Sequence, residues 1–309
     1  MMERFVYFMN YNPEALEHLN KGIEFLKESK DDEAEQEFIK AIELDERLAP
    51  AYNNYGILKL IQGFMDGALS SFNKAVELDP KLFEAYSNSA SVHQQRKEFE
   101  KAEDLYKRSL QIKSDNVDSY YNLGVLYLEQ NKLDEAKKVL EKACQLDSNH
   151  NQSFYLLSSV YFKLEEFYPA IANLQHVLTN QPENSDALYA LAEIYRRQGK
   201  YKIAIEQLER VLVMNPDNEK ALVCLGLIYV EIKEGELALP IFEKACQVND
   251  KNPEILEMLA ILYEMSGQPD KAINVCKKAM EISPNDPYIA ETYERLQDSP
   301  YLTGLADKK

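Results

Sequence analysis

Tryptophan is absent, and glycine and proline are scarce, with 10 and 12 in 309 residues. So few tight-turn residues argue against hairpin-rich sheet folds and for helices. Cysteine is scarcer still: Cys144, Cys224, Cys246 and Cys276, with no CxxC pair. That argues against a disulfide framework and reads as reduced thiols inside helices. No apolar run approaches the length of a membrane-spanning helix, so no membrane insertion is expected. The run Phe5 to Met9 is too short for a signal-peptide core, and no small-residue cleavage pattern follows it. Together these absences point to a cytoplasmic protein.

Positive charge is also in deficit. Lysine and arginine number 35 against 52 acids, a net charge of −17. Residues 1–150 hold 28 acids and 19 bases and residues 151–309 hold 24 and 16, so neither end is a charged tail. Such a field repels phosphate backbones, which excludes nucleic acid as an expected partner. It serves solubility, or it steers a basic partner. Catalytic signatures are missing too. His18, His93, His150 and His176 lie far apart, and there is no HExxH, phosphate loop or GxSxG. No enzyme activity, metal or cofactor is expected.

What the chain does have is a period of 34. Stepping from Gly124 gives Gly22, Gly56, Ala90, Gly124, Ser158, Ala192, Gly226 and Ala260, all small. Stepping from Ala136 gives alanine eight times, from Ala34 to Ala272. This predicts that the first helix of a pair meets the second where neither carries a bulky side chain. A third register alternates with these: Phe38, Phe72, Tyr106, Leu140, Leu174, Leu208, Phe242 and Cys276. A fourth reads Phe25, Lys59, His93, Tyr127, Tyr161, Tyr195, Tyr229 and Tyr263. Its tyrosines are expected to turn their rings inward and their hydroxyls toward a polar edge. Lys59 and His93 break that register and predict looser packing in repeats two and three. Pro80, Pro182, Pro216 and Pro284 close second helices, and Gly63, Gly199 and Gly267 sit in turns at positions open to positive φ.

The 34-residue helix–turn–helix unit, with its small, aromatic, alanine and proline order, resembles the tetratricopeptide repeat family. The resemblance covers eight repeats: 15–48, 49–82, 83–116, 117–150, 151–184, 185–218, 219–252 and 253–286. It implies an all-α, right-handed superhelical solenoid. Residues 1–14 form an N-terminal extension in which Phe5, Val6, Phe8 and Tyr11 cap the first repeat. Residues 287–298 form a C-terminal capping helix with Ile289, Tyr293 and Leu296 on one face, and 299–309 form a tail.

The resemblance also implies that first helices line a concave groove. There an asparagine recurs as Asn20, Asn54, Asn88 and Asn122, giving way to Leu156, Ala190, Cys224 and Met258. Such a row either clamps the backbone of an extended peptide or bridges adjacent helices. One place earlier stand Tyr121, Tyr155 and Tyr189, with Phe162 one helical turn beyond Ser159 on the side of Tyr155. They are apolar anchors or family consensus. A basic cluster, Arg196, Arg197, Lys200 and Lys202 with Lys163 a repeat earlier, offers contact to an acidic partner or is turn charge. The family's lysine-based carboxylate clamp is missing, because the Tyr121 register holds Leu19, Asn53, Ser87, Val223 and Glu257. The expected function is a non-catalytic scaffold holding a protein or peptide partner in the groove. The rivals are self-assembly through an apolar end face, which would make a homo-oligomer, and a regulatory subunit of an enzyme complex. The row change inside 117–150 places the expected contact on the inner face of repeats three to five.

Overall fold

The computed structural model describes residues 11–284 and 287–297. The segment 1–10 with Phe5, Val6 and Phe8, residues 285–286 of the last repeat, residue 298 of the expected capping helix, and the tail 299–309 lie outside them. The described chain is helical throughout, with no strand among the described residues. Its helices are α1 (Pro13–Lys27), α2 (Asp31–Leu44), α3 (Ala49–Ile61), α4 (Met65–Leu78), α5 (Phe83–Gln95), α6 (Phe99–Ile112), α7 (Val117–Glu129), α8 (Leu133–Leu146) and α9 (Asn151–Lys163). They continue as α10 (Phe167–Asn180), α11 (Ser185–Arg197), α12 (Tyr201–Met214), α13 (Glu219–Glu231), α14 (Gly235–Val248), α15 (Pro253–Met265), α16 (Pro269–Ile282) and α17 (Pro287–Gln297). Two compact units meet in sequence at Glu165, between the helices of the fifth repeat. The first holds α1 to α9 and the second α10 to α17.

Several helix starts and the turns inside the repeats have a local cause. Asn116, Asn184, Asn218 and Asn252 cap first helices, their side-chain oxygens accepting from a backbone N–H of the first turn. At the other end the chain turns through a left-handed residue once per repeat. The glycines Gly63, Gly199 and Gly267 sit there at φ 82°, 69° and 71°. So do Ser29, Lys97, Asn131, Glu165 and Lys233, at φ between 57° and 65°. The sequence marked three of these eight turns by glycine, and the other five carry side chains into a strained region. The next amide closes the turn, as when Glu98 N–H donates to the His93 carbonyl at 2.9 Å. Lys97→Gly is therefore expected to stabilise the protein by about 0.5–1 kcal/mol, and Asn131→Gly by less, since asparagine tolerates this conformation. Urea midpoints of the full chain check this, and a destabilised Lys97→Gly protein would contradict it.

Packing corrects one expectation. The small residue of a first helix faces the bulky residue sixteen positions on, rather than the alanine twelve positions on. A Cβ added at Gly22, Gly56, Gly124 or Gly226 would lie 2.5 or 2.6 Å from Phe38, Phe72, Leu140 or Phe242 respectively. Each ring or branched side chain fills the hollow left by a missing methyl group, which is how helices approach closely. The repeating alanines are fully buried, as are Phe38, Phe72, Leu140, Leu174, Leu208 and Phe242.

The tyrosine register has a partner one repeat back. Tyr127 donates to Glu103 at 3.0 Å, Tyr161 to Glu141 at 2.6 Å and Tyr263 to Glu243 at 2.7 Å. Burial, then the neighbouring carboxylate, pushes the Tyr127 and Tyr263 hydroxyls up to about 12. Burial alone would raise Glu103. The Lys107 ammonium and the Tyr127 hydroxyl outweigh it and hold the carboxyl below its usual range. Lys59 does not leave its register empty. Its ammonium reaches Glu35 at 2.7 Å, the carboxylate that also accepts from Tyr55 and Gln62. His93 instead binds Glu98 within its own repeat. At the C-terminal end, α17 buries Ile289 and Leu296 against the last pair, and Arg295 reaches Glu264 at 2.6 Å.

Candidate binding groove

In the first unit, α3, α5 and α7 present their N-terminal halves to one groove of about 630 Å³. Asn54, Asn88 and Asn122 line it together, at equivalent places of successive first helices. Asn20 is exposed and is not among its lining residues. The row of four thus comes together as three.

Two of the three amides are partly engaged. Asn54 Nδ2 donates to the Pro50 carbonyl of its own helix at 2.8 Å. Asn88 Nδ2 donates across to Asn53 Oδ1 at 2.9 Å, bridging α5 to α3. Asn122 makes no side-chain hydrogen bond among the described residues. An amide offers two donor hydrogens and one carbonyl acceptor, so each of the three keeps capacity toward the groove. Asn53 is 6% exposed and uses its oxygen alone, leaving its Nδ2 without a partner among the described residues. That Nδ2 is not cut off from solvent and leaves a donor open toward the groove.

The groove holds residues that periodicity did not single out as ligand contacts. Asn53 and Ser87 stand one place before the row, and Glu84 and Asp118 come from the first turns of α5 and α7. Their signal was the missing tyrosine in the Tyr121 register of repeats two and three. Behind the wall, Ser87 joins a buried hydroxyl chain. Ser109 and Ser119 lie 3.0 Å apart, and Ser119 Oγ donates to Ser87 Oγ at 3.3 Å.

The tyrosine row is not one strip. Tyr121 is half-buried, edge-on to His150 with centroids 5.5 Å apart, and His150 itself binds Ser153 Oγ at 2.7 Å. Tyr155 and Phe162 are half-buried on α9. Tyr189 belongs to the second unit, where it packs against the core of α11 to α13. Burial, with Glu193 nearby, pushes its hydroxyl well above the ordinary tyrosine range.

The basic cluster is partly committed as well. Arg196 is ion-paired with Glu231 on α13, and its Nε is buried without a partner among the described residues. Lys200 stacks over Tyr195, 5.9 Å from its centroid. Arg197 and Lys163 are exposed, Lys163 at the end of the first unit. The cysteines are free thiols, and burial pushes Cys144 up to about 12 and Cys224 and Cys276 up to about 11. Among the described residues no group of three His, Cys, Asp or Glu side chains is placed to hold a metal. No described helix is long and apolar enough to cross a membrane.

Comparison with known proteins agrees with this architecture. Tetratricopeptide repeat models match residues 49–82, 81–149 and 253–286. A model of the TT21 fifth ARM repeats domain matches residues 151–263. No curated protein matches the sequence. Among solved structures, the crystal structure of YrrB, described as a TPR protein with an unusual peptide-binding site, is 25% identical with a TM-score of 0.51. It covers 60% of this chain and 95% of its own. A tetratricopeptide repeat protein from Parabacteroides merdae is 20% identical with a TM-score of 0.55, covering 81% of this chain and 99% of its own. The Cut9–Hcn1 structure is 15% identical with a TM-score of 0.58, covering 86% and 52%. The repeated alanine, tyrosine and left-handed-turn registers, the paired helices and these matches agree: the chain is a tetratricopeptide repeat protein.

Proposed function

We propose that the groove of the first unit binds an extended peptide segment of a protein partner. The tetratricopeptide fold is generally a scaffold for protein–protein interaction. The observation that carries the finer reading is the gathering of Asn54, Asn88 and Asn122 around one groove, with Asn53 adding an open amide donor. Side-chain amides at repeat spacing match the alternating N–H and C=O groups of a peptide backbone, so they hold it without reading its side chains. Tyr121, beside Asn122 on α7, supplies an apolar anchor, and Tyr155 and Phe162 on α9 supply two more. Asn20 and the exposed Lys163 are secondary contacts in this reading, while Tyr189, Arg196 and Arg197 belong to the second unit and form no part of it. YrrB, whose description names a peptide-binding site, lends support by likeness.

The test is capture of a partner or of an extended peptide pool by the full chain. Replacing Asn54, Asn88 and Asn122 together with alanine is expected to weaken binding by at least tenfold, about 1.4 kcal/mol, with helicity unchanged. Unchanged affinity in a folded triple variant would refute the clamp.

A further inference from the structure

We infer that the apolar segment 5–9 docks into a second cavity of its own first unit and so closes an apolar surface within the chain. The cavity measures about 470 Å³ and shares no lining residue with the groove. While α3 gives Asn53 and Asn54 to the groove, it gives Tyr52 and Tyr55 to this cavity. Ile39 and Ile42 of α2 stand on one side of these rings, and Ser70 and Ser71 of α4 on the other. Ile39 is 39% exposed, and its place is polar in the seven other second helices, as at Asn73, Lys107 and Glu141. Ser70 and Ser71 are short where α6 carries Asp104 and Leu105. An apolar rim and missing side-chain volume thus coincide in one place. The Tyr55 hydroxyl is held by Glu35 at 3.3 Å, and the lining cation Lys74 pairs with Glu77 at 3.1 Å. What remains for a guest is rings and aliphatic groups, and a hollow of this size suits aromatic side chains.

The occupant follows from how Tyr11 and Asn12 are held. Asn12 is fixed at the C-terminal end of α2, its N–H donating to Asp45 Oδ2 at 3.0 Å and its Nδ2 to the Leu44 carbonyl at 3.2 Å. Tyr11 and Ile42 pack against the same core. Residues 1–10, which lie outside the described residues, are therefore tethered beside the α2 wall of the cavity. They carry Phe5, Val6, Tyr7, Phe8 and Met9 in one run. At about 3.3 Å per residue of extended chain, Phe8 reaches about 13 Å from Asn12 and Phe5 about 23 Å. Ile39 is five residues before Leu44, about 7.5 Å along α2, so both rings can arrive there. The Tyr52 and Ser70 hydroxyls make no hydrogen bond among the described residues and can meet backbone groups of the segment. A segment tethered this close acts at an effective concentration on the order of millimolar, so weak contacts suffice. Seated, the run buries within one chain an apolar patch that would otherwise favour association.

The chain has no tryptophan, so Phe8→Trp in the full chain places a single indole in the segment. Phe5→Trp is read in parallel, in case the larger ring is excluded from one place. In at least one of the two, the emission is expected to be blue-shifted and quenching by acrylamide several-fold weaker than in urea. Ile39→Lys, the kind of side chain other second helices carry there, and Ser71→Leu, which fills the hollow, are each expected to return the indole toward its urea values with helicity unchanged. A solvent-exposed indole at both positions would overturn the inference. Protection that survives both Ile39→Lys and Ser71→Leu would overturn it too, because the segment is then buried elsewhere, as over the end of the first repeat. Protection that rises only as light scattering shows dimers would assign the segment to a second copy and overturn docking within the chain.

Discussion

Phe72→Ala is expected to destabilise the first unit by about 3–5 kcal/mol, and Gly56→Ala by about 1–3 kcal/mol. The two changes attack one contact from opposite sides. Phe72 is fully buried, and its ring edge lies where a Cβ on Gly56 would come within 2.6 Å. Truncating the ring opens a cavity between α3 and α4. Adding the methyl drives atoms into a ring that its neighbours hold in place. The repair is visible in the second unit, where Ala192 and Leu208 stand at the same two registers and both are buried. Gly56→Ala combined with Phe72→Leu should therefore cost less than the sum of the single changes, by on the order of 1 kcal/mol. Urea unfolding followed by circular dichroism measures it. The first transition is the one to compare, since stacked repeats need not melt in one step. A neutral Gly56→Ala variant would show that α3 and α4 can separate at no cost, against the packing described here.

Ser119→Ala alone is expected to cost about 1–3 kcal/mol, while Ser109→Ala with Ser119→Ala together is nearly neutral. Both residues are fully buried, and each is the other's hydrogen-bond partner at 3.0 Å. Removing Ser119 alone leaves the buried Ser109 hydroxyl desolvated and unpaired. Removing both leaves two methyl groups in a site that other repeats fill the same way. Alanine stands at Ala75 and Ala143 in the Ser109 register, and at Ala51, Ala85, Ala187 and Ala221 in the Ser119 register. Thermal midpoints of the two singles and the double close the cycle. Additive effects would mean that the hydroxyls are not coupled.

The period of 34, the helix pairs, the buried alanines and the C-terminal amphipathic helix follow from the sequence alone. The reason is that they rest on spacing along one helix, which places residues i, i+3, i+4 and i+7 on a common face whatever lies opposite. The left-handed turns were legible where glycine stood and hidden at Ser29, Lys97, Asn131, Glu165 and Lys233, because the closing amide imposes that conformation on any side chain. Periodicity also could not say what each face meets. That Gly56 meets Phe72 and not the alanine register, that Ser109 finds Ser119, that Arg196 turns to Glu231, and that Tyr189 packs inward were decided by contacts between helices.

The asparagine row is the sharpest case. Four equivalent residues read as one ladder, and the structure gathers three around a groove with Asn53, Glu84 and Asp118 beside them. Repeat spacing sets which residues share a register, and that is written in the chain. Hydrogen-bond capacity left over after folding depends on partners 34 or 35 residues away, as with Asn88 and Asn53, and only the packed helices determine it.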